Sequence, residues 1–292
     1  MLFSFTVWCM TGTTNLAPRA YILGSELREA RVGAGMTVRK LATQLDVSHS
    51  VVVRWERGGR VPSTESVSAM CAVLDLPSHQ RDRLLELTRE AASEPVNSVS
   101  VGATGEGDQL TALLEFERTS TAITDVSPLL MPGLLQTGDY ARAIMGTGVP
   151  NVDERVALRL GRSDVITRRK APAAYTAFIL DSVLHQAVGD EEVMAEQLLH
   201  LTEMSQRGNV EVRVIPRHLG WTPAHAGPFM LLEFERASPV VHLEHHRSSA
   251  FLRDEGDVSA FVDARDDIDR LAMSAEESRE LITETIERLE AT

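Results

Sequence analysis

The sequence predicts an all-α first domain of five helices, followed by an α+β second domain with a mainly antiparallel sheet. Three observations carry this expectation. At 292 residues the chain has room for two cores, taking about 150 residues for each. Its apolar patterning changes part-way along, from short capped helical repeats to helical repeats interleaved with β-like runs. Between the two lies Ser93–Gly107, SEPVNSVSVGATGEG, rich in Ser and Gly and without an amphipathic period. It reads as a linker. The expected division is a first domain over residues 19–92, a linker over 93–107 and a second domain over 108–292.

In the first domain, Ser25–Val32 places Leu27 and Ala30 on one face, and Gly33 and Gly35 stop it. Thr37 is an N-cap for Val38–Leu45, whose Leu41, Ala42 and Leu45 fall at helical spacing. Asp46-Val47 turns the chain, and Ser48 caps a third helix that runs to Arg57 and ends at Gly58-Gly59. Ser63 opens a fourth helix with Val67, Met70, Cys71 and Leu74 inward; Ser78 opens a fifth with Leu84, Leu85 and Thr88 inward. In the second domain, helical patterns are expected at Asp108–Thr121, Gly138–Met145, Val152–Arg169, Asp190–Gln206, Val258–Leu271 and Ala275–Ala291. Strands are expected at Ala174–Leu180, Val210–Ile215, Phe229–Phe234, Val240–Glu244 and Ala250–Arg253, the last three forming an antiparallel meander.

With 43% hydrophobic and 24% charged residues, the composition is that of a globular chain rather than a disordered or fibrous one. No apolar run approaches the roughly 20 residues of a membrane helix. The apolar stretch Met1–Met10 lacks a basic lead and a clear cleavage site, so a signal peptide is not expected, and Met1 and Met10 both stand as candidate natural starts. Two cysteines, Cys9 and Cys71, are too few for a disulfide framework, and a reducing cytoplasmic setting is expected. The net charge of −13 is unevenly spread: 11 basic and 9 acidic residues in Arg19–Ala92, against 18 and 33 in Ser93–Thr292. Within Arg19–Arg60 the count is 8 basic to 4 acidic. Such a chain has a small basic head able to meet phosphates and an acidic body that is not.

Val38–Arg57, VRKLATQLDVSHSVVVRWER, has the anatomy of a helix-turn-helix. Ala42 is small enough for the second helix to approach closely, Val47 plugs the turn, and Val52 and Trp55 pin the third helix from inside. That leaves His49, Ser50, Val53 and Arg54 facing outward, where a major groove would lie, with Ser48 at the helix start. Arg54 has the fork to read a guanine, Ser50 or His49 a hydroxyl or ring to meet a base edge, and Val53 a surface for a thymine methyl. Arg57 and Arg60, beyond the helix end, are placed over the phosphate backbone, or else are solvated helix-end residues.

The run LATQLDVSHSVVVRWERGGRVPS, Leu41–Ser63, resembles the xenobiotic-response-element family of helix-turn-helix regulators, which includes phage repressors. The resemblance implies a phage-repressor-like five-helix head and two-fold dimers on an operator. Val38 departs from it: many members carry a Gln there to bond a phosphate, which puts more weight on Arg39, Arg57 and Arg60. Four further segments, MPGLLQTGDYARAIM (Met131–Met145), ALRLGRSDVITR (Ala157–Arg168), Gly189–Pro216 and GPFMLLEF (Gly227–Phe234), are similar in kind and order to actinobacterial WhiJ-like regulators. Those join such a head to a C-terminal domain of unknown function. The resemblance implies a small partner protein encoded nearby, as in toxin–antitoxin pairs. Ser163, Ser182 and His242 depart from residues common there, namely Gln, an acid and Tyr.

Other motifs point to structure rather than chemistry. Pro132-Gly133 reads as a type II turn before a helix, with ligand or partner contact the lesser alternative. His242, His245 and His246, with His218 and His225 nearby, invite a metal, but on a strand only His242 and His246 share a face, so a solvated strand end is expected. No nucleophile elbow, P-loop or complete dinucleotide fingerprint is present. The expectation is therefore a regulator that is not an enzyme, with no catalytic residues, cofactor or metal, binding an operator as a homodimer, with its second domain dimerising, sensing or holding a partner. The alternative is an antitoxin-like protein whose main role is binding a small partner protein, and a weaker one is a ligand-sensing repressor.

Overall fold

In the computed structural model, which describes residues 18–93, 98–101, 106–146, 151–235, 237–246 and 248–290, five helices fill the first part of the chain. They are α1 (Pro18–Gly33), α2 (Val38–Gln44), α3 (His49–Glu56), α4 (Thr64–Val73) and α5 (Ser78–Ser93). Met1, Cys9 and Met10 lie outside the described residues. The head closes on Leu27, Leu41, Val52, Val67, Met70 and Leu84, each wholly buried. Thr37 accepts from the Lys40 amide at 3.2 Å, as an N-cap should. The turn passes through Asp46 at φ 53, a left-handed position that a short polar side chain tolerates. Leu45, Val47 and Leu85, expected inside, are only half-buried.

α1 begins seven residues before the expected Ser25. Gly24 sits inside this helix, where another backbone comes close. A Cβ there would lie 2.7 Å from Trp55 O and 2.8 Å from Gly58 N. Gly58, at φ +69, answers it: a Cβ there would lie 2.8 Å from Tyr21 Cα. The crossing of α1 over the end of α3 therefore needs a glycine on each side.

The rest of the chain runs β1 (Ser98–Val101), α6 (Glu106–Thr119), β2 (Ala122–Ser127), α7 (Gly138–Met145), α8 (Val152–Gly161), α9 (Asp164–Thr167), β3 (Ala174–Leu180), α10 (Asp181–His185), α11 (Glu191–Ser205), β4 (Val210–Ile215), β5 (Phe229–Glu233), β6 (Val240–His245), β7 (Ser248–Leu252), α12 (Glu255–Leu271) and α13 (Ala275–Glu290). The sheet order is β7-β6-β5-β2-β3-β4, with the short β1 added beside β7. The described residues form two compact units. One runs to Ser98 and takes in Glu235–Ser238, and the other comprises Val99–Phe234 and Pro239 onward.

The meander β5-β6-β7 is antiparallel as expected, but the sheet is not mainly antiparallel. β2 runs parallel to β3, and β3 parallel to β4. The helices α10 and α11 between β3 and β4 return the chain to the same end of the sheet, which makes the two strands parallel. β2, the strand that joins the parallel and antiparallel halves, was not anticipated. Its AITDVS carries a carboxylate mid-strand, yet Asp125 is buried and satisfied: Ser127 Oγ donates to Oδ1 at 2.7 Å and Tyr175 Oη to Oδ2 at 3.0 Å. The helix expected over Val152–Arg169 breaks into α8 and α9, leaving Arg162 at the break. β1 lies inside the segment expected as linker.

Strand alternation gives the sheet two unlike faces. One buries Val126, Phe178, Ile215, Leu231 and Val241 against Val258 and Ile268 of α12. The other carries Asp125, Tyr175, His242 and Phe251, with Phe116 of α6 against Phe251 at 5.1 Å between ring centres.

Candidate nucleic-acid interface

The outer surface of α3 is set by what holds its inner surface. Val52 is wholly buried and Trp55 nearly so, which turns positions 49, 50, 53 and 54 outward at helical spacing. His49, Ser50 and Arg54 are exposed; Val53 is half-buried, with one flank against the head. Ser48, Arg57 and Arg60 are exposed, Arg57 as the C-cap of α3, and Arg39 is exposed on α2. Seven of the eight residues singled out in the sequence thus present their side chains to solvent on or beside one helix.

In the head, Arg83 donates to Glu26 at 2.9 Å, and Arg19 lies 3.8 Å from Glu90. Arg39, Arg54, Arg57 and Arg60 form no ion pair with any described residue, and neither do Arg28 on α1 or Arg81 and Arg89 on α5. It is their place on and beside α3 that sets the first four apart. Long, unpaired cations on one helix and its flanks are suited to phosphates and base edges. Ser48 holds the N-cap position of α3, but its side chain makes no capping bond. Its hydroxyl lies 3.0 Å from Ser50 Oγ instead, so no side chain occupies the first amides of α3.

The sequence reading missed the residues that aim α3. Glu56 takes Arg31 Nε at 2.6 Å and Nη2 at 2.8 Å, and Arg31 Nη1 donates to Met36 O at 2.8 Å. The hydrogen bond to Glu56 outweighs burial and raises the Arg31 pKa. Helical spacing alone could not have paired positions 25 residues apart.

In the second unit the PGLLQT run is built into its surroundings. Gln197 Oε1 accepts from Thr137 N at 2.8 Å while its Nε2 donates to Leu135 O at 2.7 Å. Tyr140 Oη accepts from Met131 N at 3.1 Å. Pro132-Gly133 is not a type II turn: Gly133 is absent from the positive-φ glycines and opens a 3-10 turn, Gly133–Leu135. His242 is no solvated strand end either. It is 5% exposed and stacks near Phe251 at 4.7 Å, and burial, reinforced by the Arg162 charge, pushes its ring down to about 3. His245 and His246 are exposed, and His225 Nδ1 accepts from Thr222 N at 3.0 Å. Among the described residues no three His, Cys, Asp or Glu side chains gather as a metal site, and no helix is long and apolar enough to cross a membrane.

Comparison with known proteins places these features in a family. Residues 110–284 match a domain of unknown function, DUF5753, and residues 22–84 match a helix-turn-helix domain. The transcriptional regulator ClgR of two Mycobacterium tuberculosis strains is 39% identical over 56 residues, 19% of this chain and 50% of that protein. The chain thus spans about half the length of the curated relatives it matches. The solved structure of TrmBL2, an archaeal chromatin protein, aligns at 12% identity and TM-score 0.29 over 82% of this chain and 88% of that one, too low a score to inform the fold.

Proposed function

The chain belongs to the family of the DUF5753 domain, to which it joins a DNA-binding helix-turn-helix head, and on that premise we propose that it is a transcriptional regulator of a specific operator. The observation that supports this most is the outer surface of α3, which carries unpaired Arg54 and Arg57 on a helix pinned from inside by Val52 and Trp55. In this reading Arg54, Ser50, His49 and Val53 meet base edges in the major groove. Arg39, Arg57, Arg60 and the open amides behind Ser48 meet the phosphates on either side. The protein works in the cytoplasm, without catalysis.

One head offers few phosphate contacts, so the protein binds as a homodimer on half-sites about 34 Å apart, and the acidic second domain of residues 108–292, reached through 93–107, dimerises, senses or holds a partner. Selection from a pool of random duplexes tests the reading. It should enrich a two-fold sequence with half-sites one helical turn apart; a pool indistinguishable from its input would contradict it.

A second reading has a specific feature in its favour. Trp221, 75% exposed, stands at a hollow of about 550 Å³ walled by Phe229, Leu243 and Phe261. Large apolar surface of this kind marks contact sites, which suits an antitoxin-like role in holding a small partner protein encoded nearby. Co-purification with the product of a neighbouring small gene, lost in Trp221→Ser, would favour it.

A further inference from the structure

On the sheet face away from α12, hydrogen-bond donors outnumber the acceptors that meet them. Arg162 gives Nε and Nη2 to Glu117 at 3.1 and 2.6 Å, and its side chain is only 9% exposed. No described residue bonds its third nitrogen, Nη1. A Cβ at Gly133 would meet only Nη1 at 3.7 Å and Nη2 at 3.9 Å, with nothing else within 4 Å. Open space therefore lies over Gly133, edged by the guanidinium.

Two more donors belong to the same group. Arg159, one turn before Arg162, is half-buried and gives Nη1 to a neutral partner, Gln136 Oε1, at 3.0 Å. It forms no ion pair with a described residue; burial first, then the neighbouring Arg162 charge, lower its pKa. His242, 95% buried, makes no hydrogen bond to a described residue through either ring nitrogen and lies within the field of Arg162.

The nearby acceptors are engaged or distant. Glu117 is held by Arg162, and Asp125 by Ser127 and Tyr175. Glu244 is exposed on the same strand face and acts on both arginines, yet pairs with neither. Neither Arg162 Nη1 nor a His242 ring nitrogen is among the fully enclosed polar atoms without a partner, so these groups, though on largely buried side chains, remain open to solvent and to a ligand. A ligand oxygen carrying negative charge would complement them.

We propose that Arg159, the Nη1 edge of Arg162 and the His242 ring form a binding site for the anionic oxygens of a small molecule, a carboxylate or a phosphate. Gln136 positions Arg159, and Gly133 leaves the space the ligand enters. Planar guanidinium edges suit such oxygens. The site gives a ligand class to the sensing role proposed for the second domain and stands apart from the DNA reading of the head.

The test uses the full chain without DNA, titrated by calorimetry with inorganic phosphate and, separately, with propionate, at ionic strength held constant by sodium chloride. One saturable site should appear for at least one anion, and which one identifies the ligand chemistry. Arg159→Gln should weaken it at least about tenfold, while Arg57→Gln on the head leaves it unchanged. In the unaltered protein the His242 ring resonances should move with the same midpoint, a readout independent of how the variants fold. Neither anion saturating, an Arg57-dependent site indifferent to Arg159, or unmoved His242 resonances would each overturn the proposal.

Discussion

Arg31 of α1 and Glu56 of α3 grip each other through two hydrogen bonds of 2.6 and 2.8 Å, with side chains only 10% and 6% exposed. The pair ties the helix that faces outward to the helix that anchors the head. Glu56 lies between Trp55, which is buried, and Arg57, which is free. Three consecutive residues thus pack, orient and reach out.

Breaking this pair strands a buried charge. Glu56→Ala should destabilise the head by about 3–5 kcal/mol. Replacing both partners, Arg31→Met with Glu56→Leu, should cost much less. Urea unfolding followed by Trp55 fluorescence, with Trp8 and Trp221 changed to Phe, measures both. A double variant as unstable as the single one would show that lost packing, not the stranded charge, is responsible.

Gly58 and Gly35 both have positive φ, near +69 and +64, but only Gly58 faces another backbone. Gly35→Ala should cost about 1–2 kcal/mol, the penalty of a left-handed alanine. Gly58→Ala adds a Cβ 2.8 Å from Tyr21 Cα and should cost clearly more. The same unfolding assay compares them; equal losses would mean that the α1–α3 crossing has room to spare.

The ring of His242 is held neutral, pushed down to about 3 by burial and the Arg162 charge. In the unfolded chain it takes a proton near pH 6.5. Its contribution to stability is therefore complete above that pH and is lost as pH falls toward 3, by up to about 1.4 kcal/mol per unit. Asp125 works in the opposite sense, since burial raises its pKa. His242→Phe keeps a ring beside Phe251 and removes the first effect alone. Urea midpoints for both proteins at pH 7.5, 6 and 5 should diverge only below about 6.5; parallel curves would contradict a neutral buried imidazole.

The head was largely legible because its signals are local. Caps at Thr37 and Ser63, the turn at Asp46 and the inward spacing of Leu41, Val52 and Trp55 lie within a few residues of one another. What escaped is long-range. Gly24 makes sense only once Trp55 and Gly58 lie across it, and Glu56 only once Arg31 reaches it. In the second unit the strands with continuous apolar runs, such as Ala174–Leu180, were readable. β2 was not, because Asp125 breaks its pattern and is satisfied by Tyr175 from another strand. His242 was misplaced for the same reason: its surroundings include Phe251 of the neighbouring strand and Arg162 from the α8–α9 break, which its own strand does not reveal.

In the proposed function, α3 reads base sequence through Arg54. The most direct test of this claim is the affinity of the full chain and of Arg54→Ala for the selected operator and for a scrambled duplex, each at two salt concentrations. Arg54→Ala should lose about 1–3 kcal/mol on the operator, tolerate substitution at one base pair, and bind the scrambled duplex nearly as well as before. Both proteins should weaken steeply as salt rises. An equal loss on operator and scrambled duplex would make Arg54 a phosphate contact and contradict the claim.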